Sequence, residues 1–223
     1  MDTYLPLGRP TSLLAFKTIT QDIQQLLIQN GEIVRLAHHQ LIFEQNELAQ
    51  HFYLVIEGLV KLVRYSENKQ SHLLDLITPG ESIGLALMHE KALQAYPISA
   101  QCLKKTEILI LTRDFFFNFW KKNNCLIQYG SEQIQKRLFH FQDSLCMQNR
   151  SLPERLAHLL TEKIYPIKDQ AHLTRRELAE CVGASTEAVI RLLSLWTQQG
   201  LVATENRQII FHDLQKLRDL WAK

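Results

Sequence analysis

From Ile33 to Leu111 the chain sets short apolar runs between turn residues: Ile33–Leu36, Gln40–Phe43, Phe52–Glu57, Leu59–Tyr65, Leu73–Ile77, Ser99–Leu103 and Glu107–Leu111. These runs are rich in Val, Ile, Leu and aromatic residues, as strands of a half-buried sheet are. Glu57-Gly58 reads as a tight corner, Ser66-Glu67-Asn68-Lys69 as a hairpin tip and Thr78-Pro79-Gly80 as a further turn. A helix is expected over Thr20–Asn30, stopped at Asn30-Gly31. The pattern predicts an antiparallel barrel or roll behind a short leading helix.

Past Arg113 the period changes to that of helices. Asp114 to about Gln148 is helix-rich, and Ile127, Ile134 and Phe141 recur seven apart, with Leu138 and Leu145 four after the last two. Ser131 and Gln148 interrupt this coiled-coil seam. Such a stripe packs either on the chain's own roll or on a second copy, and two-fold dimers are the commonest oligomers. Ser151-Leu152-Pro153-Glu154 opens a new helix, with Ser151 as N-cap, Pro153 in the first turn and Glu154 closing a capping box. A cap directly after a long helix marks a hinge at Asn149–Ser151.

Thr174-Arg175-Arg176-Glu177 is a second capping box. Its helix breaks at Val182-Gly183-Ala184, and Ser185 caps another that runs to Gln199 and stops at Gly200. Ala179 supplies the small residue a helix-turn-helix needs where its helices cross, and Gly183 the left-handed residue of its turn. Val189 and Leu192 fall on the inner face of the second helix. Leu201–Val202 and Gln208–Phe211 then flank the polar tip Glu205-Asn206-Arg207 like a wing, and Asp213 caps a last helix. An ordinary helical hairpin would need none of these offsets together.

Composition adds boundaries. The 223 residues are 46% hydrophobic and 22% charged, ordinary for folded domains and long enough for two cores. The formal charge is only +2, and residues 151–223 hold ten Lys/Arg against nine Asp/Glu, so any attraction to nucleic acid must be local. No apolar run is long enough to span a bilayer, and the first residues lack a secretory pattern, so a cytoplasmic protein is expected. Cys102, Cys125, Cys146 and Cys181 are far apart and read as scattered core thiols in a reducing compartment.

The combined pattern resembles the CRP/FNR family of bacterial transcription regulators over nearly the whole chain. Its most specific parts are Phe52 through Leu62, Pro79-Gly80-Glu81-Ser82-Ile83-Gly84, and Thr174 through Gly200. At two early turns where the family has Gly, His39 and Asn46 stand in, both tolerant of a left-handed backbone. The resemblance makes the helix after Ser185 the recognition helix, laid in the major groove. Glu187 and Arg191 fall where the family reads a TGA-type core, one accepting from cytosine and the other gripping guanine. Thr186 and Ile190 occupy the other reading positions but depart from the best-known members; Ile190 can meet a thymine methyl. Thr174, Arg175, Arg176, Ser185 and Arg207 are expected on phosphates. RNA polymerase is the implied downstream partner.

Members that bind cyclic AMP use a Gly-Glu pair for ribose and an Arg-Ser/Thr pair for phosphate. Here Gly84 is followed by Leu85, and Ser99 is preceded by Ile98. A cyclic phosphate buried against these two would leave its charge unpaired, at a cost of roughly 2–7 kcal/mol. Cyclic AMP is therefore argued against. So is an iron–sulfur cluster, because no cysteine precedes Cys102. Haem on His72, His89 or His140, a thiol response through Cys102 or Cys125, a different small-molecule effector, or no ligand remain open. Gly84, Leu85, Ile98, Ser99 and His140 form the expected effector pocket.

Two other readings fit the residues less well. His38-His39 with Glu44 is a poor match to a cupin-like metal enzyme, whose histidines must share one strand face; adjacent residues on a strand point oppositely. A cyclic-nucleotide-binding-like dimeric interaction module without DNA binding would have no use for Glu187 and Arg191 on a capped helix. The expectation is a non-enzymatic α+β protein. An N-terminal antiparallel β-roll (double-stranded β-helix) sensor spans 1–113, a dimerisation helix region 114–149 and a winged helix-turn-helix 150–223. Two copies bind double-stranded DNA, with Ile127, Ile134, Leu138, Phe141 and Leu145 as the dimer seam.

Overall fold

A computed structural model describes residues 5–6, 16, 19–67, 71–89, 92–166, 173–205 and 208–222. The chain forms two compact units, Met1–Phe141 and Gln142–Lys223.

In the first unit, β1 (Leu5–Pro6) precedes α1 (Gln21–Asn30), and the roll follows as β2 (Glu32–Leu36), β3 (Leu41–Phe43), β4 (His51–Glu57), β5 (Val60–Tyr65), β6 (Ser71–Ile77), β7 (Ser82–Ile83), β8 (Ser99–Cys102) and β9 (Thr106–Thr112). Two antiparallel sheets result, ordered β1-β2-β9-β4-β7 and β3-β8-β5-β6. Their apolar faces enclose one core that includes Leu36, Phe52, Leu54, Leu62, Ile108 and Leu109. His39 and Asn46 do take positive φ, 66° and 73°, as their places in the turns required. The tip residues Asn68 and Lys69 lie outside the described residues.

His38 and His39 lie side by side. They sit in the turn between β2 and β3, where the strand-face geometry of a cupin site does not apply, with rings stacked 3.7 Å apart. Neither β1 nor β7 was foreseen. Both are two residues long, and β7 forms only because Tyr53 and Leu54 offer a partner edge to Ile83 and Ser82.

The helix-rich stretch after β9 is not continuous. α2 (Arg113–Asn118) and a 3-10 turn at Trp120–Lys122 come before α3 (Asn124–Gln148). Trp120 is buried edge-on to Phe52 at 5.1 Å and to Tyr129 of α3 at 5.8 Å, which locks the break into the core. α3 turns Leu126, Tyr129, Gly130 and Gln133 inward. Tyr129 and Gln133 donate to the Gly80 carbonyl at 3.2 and 3.3 Å, and Arg137 to the Ser82 carbonyl at 2.6 Å. The face pointing away carries the seam. Ile127, Ile134, Leu138, Phe141 and Leu145 are 43–55% exposed, so the stripe does not pack on the chain's own roll.

In the second unit, α4 (Leu152–His158) runs into a π-helical turn at Leu159–Ile164, and α5 (Arg175–Val182), α6 (Thr186–Gln198), β10 (Val202–Glu205), β11 (Gln208–Phe211) and α7 (Leu214–Asp219) follow. The Asp213 carboxylate accepts from the Lys216 N–H at 3.0 Å, capping α7 as expected. Trp221 then donates its indole N–H to the buried Thr161 hydroxyl at 3.0 Å.

The thiols differ from expectation. Only Cys102 is buried; Cys125 and Cys181 are half-buried and Cys146 is exposed. Burial pushes the Cys102 thiol up to about 11, so it carries almost no thiolate near neutrality, and a redox response through it loses its chemical basis.

Candidate nucleic-acid interface

Thr174 caps α5 through a complete box. Its hydroxyl accepts the Glu177 N–H at 3.2 Å, while the Glu177 carboxylate accepts the Thr174 N–H at 2.7 Å and hydroxyl at 2.8 Å. Both Thr174 donors thus serve the cap. Gly183 closes α5 at φ 61°, and a Cβ there would meet no atom within 4 Å. The left-handed backbone, not crowding, asks for glycine. The Ala184 N–H reaches back to the Ala179 carbonyl at 2.9 Å.

Ser185 caps α6 by accepting the Ala188 N–H at 3.2 Å. Val189, Leu192, Leu193 and Trp196 are buried against the rest of the unit. That leaves Glu187, Ile190 and Arg191 exposed and Thr186 half-exposed on the other face. Ile190 keeps 46% of its surface in solvent. Glu187 and Arg191 could have been an ordinary surface ion pair, but among the described residues no ion pair joins them.

Beside α6, β10 and β11 pair antiparallel from Val202↔Phe211 to Glu205↔Gln208. Arg175 donates to the Thr204 hydroxyl at 2.6 Å, tying the start of α5 to the wing. It is half-buried, and burial lowers its pKa. Arg176 is exposed and Arg207 lies outside the described residues. The tie through Arg175 was not foreseen, because its two residues are 29 apart in sequence.

The roll brings Gly84, Leu85, Ile98 and Ser99 to the ends of β7 and β8. Leu85 is 3% exposed, and a Cβ placed on Gly130 would lie 3.4 Å from its Cδ2, so it fills the contact with α3. The Ser99 hydroxyl accepts the Gln45 N–H at 2.8 Å, and Ile98 packs partly against the core. Tyr96, which sequence reasoning missed, closes over Gly84: its Cε1 would lie 3.3 Å from a Cβ there. Its ring stacks on Phe43 at 3.8 Å and its hydroxyl donates to the His51 carbonyl at 2.5 Å. Burial raises its pKa, keeping it a neutral donor. His140 stands half-buried on α3; His72 and His89 are exposed.

The cyclic nucleotide-binding domain family matches residues 33–123, and the Crp-like helix-turn-helix domain family residues 154–220. The cyclic AMP receptor protein of Thermus thermophilus is 30% identical over 168 residues, 72% of this chain and 74% of that protein. The anaerobic regulatory protein of Bacillus subtilis is 22% identical over 90% of this chain and 88% of its own length. The solved structure of FixK2 from Bradyrhizobium japonicum shares the fold with a TM-score of 0.73 at 20% identity, covering 86% of this chain and 98% of that one. Among the described residues no helix is long and apolar enough to cross a membrane. A β-roll, a long helix and a capped helix-turn-helix with its wing agree with these likenesses: the chain belongs to the CRP/FNR family and is a DNA-binding transcription regulator of that type.

Proposed function

We propose that two copies of this chain bind a palindromic duplex with TGA-like half-sites, as a cytoplasmic homodimer whose roll answers to a signal other than cyclic AMP. The observation that carries the reading is the outer face of α6, where Glu187, Ile190 and Arg191 are exposed while Val189 and Leu192 anchor the helix inside. Arg191 grips guanine O6 and N7, Glu187 accepts from a cytosine amino group, and Ile190 meets a thymine methyl. Thr186 reads beside them, and Ser185, Arg176, Arg207 and the spare donors of Arg175 hold phosphates.

The exposed seam from Ile127 to Leu145 supports pairing of α3 with its copy, because a row of half-exposed large apolar residues is stabilised by a second such row. A palindrome then mirrors the two-fold axis, with recognition helices about 34 Å apart. RNA polymerase is the downstream partner that the family implies.

One relative is named a cyclic AMP receptor and another an anaerobic regulator, so the family's signals differ. In this chain Leu85 and Ile98 stand where ribose and phosphate would need a carboxylate and a guanidinium. Tyr96, packed over Gly84, further supports a signal of other chemistry, received near Gly84, Leu85, Ile98, Ser99 and His140.

Selection of random duplex DNA by the purified chain tests the reading. Enrichment of a palindrome with TGA-like arms is expected. Enrichment of unpaired half-sites alone would remove the dimer, and recovery of no preferred sequence would remove the assigned base contacts.

A further inference from the structure

Arg155, on the first helix after the hinge, makes two bonds that no capping or packing rule asks of it. Its Nη1 donates to the Arg150 carbonyl at 2.7 Å, and its Nε to the Val182 carbonyl at 2.9 Å. Arg150 lies between the end of α3 and the Ser151 cap. Val182 is the last residue of α5, followed directly by the turn residue Gly183. The Val182 carbonyl is the last of α5, at the negative pole of that helix, and the Arg150 carbonyl belongs to the hinge itself. A planar guanidinium meets two such oxygens with donors in a rigid fork.

The surroundings make the fork stiff. The Arg150 side chain pairs with Glu154 at 2.8 Å, and Glu154 accepts the Ser151 N–H at 2.8 Å and hydroxyl at 2.6 Å. On the next turn Leu156 and Ala157 are fully buried. The hinge backbone and the start of the recognition turn are therefore held by one side chain, 27 residues apart in sequence at the far contact.

We propose that Arg155 is a positioning residue: by bonding Arg150 and Val182 together it fixes the angle between the hinge and the recognition turn, and so sets which half-site spacing the dimer accepts. The proposal rests on the reading that two copies bind a palindrome. Arg155 touches no base and no phosphate in this scheme. It governs spacing selectivity and leaves the affinity of a single recognition helix for its half-site alone.

The test uses the full chain with Arg155→Gln and Arg155→Lys, on the palindrome selected by the wild type. Spacers one base pair longer and shorter, and an isolated half-site, complete the set, with thermal unfolding as a check on the fold. Wild type is expected to prefer its own spacer by about tenfold or more, and Arg155→Gln to lose most of that preference while its half-site affinity stays within about twofold. Lysine keeps the charge but not the fork, so Arg155→Lys is expected to lose the preference too; retention of it would show that charge alone suffices and would overturn the proposal. Should the glutamine variant fail to fold, the lysine variant carries the test. A folded variant with unchanged spacing preference overturns the role of Arg155 alone. Wild type that binds no palindrome, or every spacer equally, removes the dimeric reading and the proposal with it.

Discussion

The Ser99 hydroxyl accepts the Gln45 backbone N–H at 2.8 Å, which ties the start of β8 to the turn around Asn46. The same turn is bonded to the segment before β8 that carries Tyr96, because the Asn46 N–H donates to the Tyr96 carbonyl and the Tyr96 N–H to the Glu47 carbonyl, each at 2.8 Å. Ser99 and Tyr96 are thus both bonded to the one turn that follows β3.

Titration calorimetry with cyclic AMP should show no site of micromolar or better affinity. Restoring the ribose-binding carboxylate by Leu85→Glu should not create one. It should instead lower stability by about 2–5 kcal/mol in a denaturant titration, because the side chain is buried against α3 and a charge there has no partner. A tight site in the wild type would overturn this account of Leu85 and Ile98.

Arg191→Ala should weaken binding to the selected palindrome by about 1–3 kcal/mol and flatten base preference at one guanine per arm. Binding to random duplex should change far less. Unaltered preference in a competition assay would take Arg191 out of the readout.

Leu138→Glu places a carboxylate in the middle of the exposed stripe, where two copies would face each other. Burying that charge unpaired costs several kcal/mol. Sedimentation should show a dimer for wild type and a monomer for the variant, with secondary structure retained. A variant that stayed dimeric would place the interface elsewhere.

Thiol labelling at pH 7 should modify Cys146 first and leave Cys102 untouched until the protein unfolds. Cys146 is exposed, whereas Cys102 is sealed in the roll and held up to about 11. Mass spectrometry of peptides after short exposure to a maleimide reads the order directly. Early modification of Cys102 would mean that the roll opens readily.

The Glu154 carboxyl is held down to about 2, first by the Ser151 hydroxyl and backbone N–H and then by Arg150. A depressed native value means that the ionised form stabilises the fold above the ordinary carboxylate range, and that this contribution fades as pH falls toward 2. Urea midpoints of wild type and Glu154→Gln should differ at pH 6 and converge as pH approaches 2. A gap that persisted unchanged would mean that the cap does not depend on the charge.

The helix-turn-helix was legible in the sequence because its determinants are local. Thr174 and Glu177, Ser185 and Ala188, and Gly183 in its turn all act within a few residues, so spacing alone predicts them. The roll's strands followed from apolar runs between turns, and the substitutes His39 and Asn46 took the left-handed backbone expected of them. The stripe on α3 was also readable, although whether it faced the roll or solvent was not. That choice went to the opposite face, where Tyr129, Gln133 and Arg137 bond to Gly80 and Ser82.

By itself, then, the sequence determined the order of elements, their caps and the residues offered on α6, since each depends on neighbours within one or two turns. Only the tertiary structure decided that Ser99 meets Gln45 and Tyr96 meets His51, that Arg175 is tied to the wing and that Arg155 spans hinge and turn. Those bonds join residues 27 to 54 apart along the chain. Periodicity carries no record of such pairs, because what brings them together is burial of the apolar faces between them, a non-directional force shared across the core, and not any preference of the paired residues themselves.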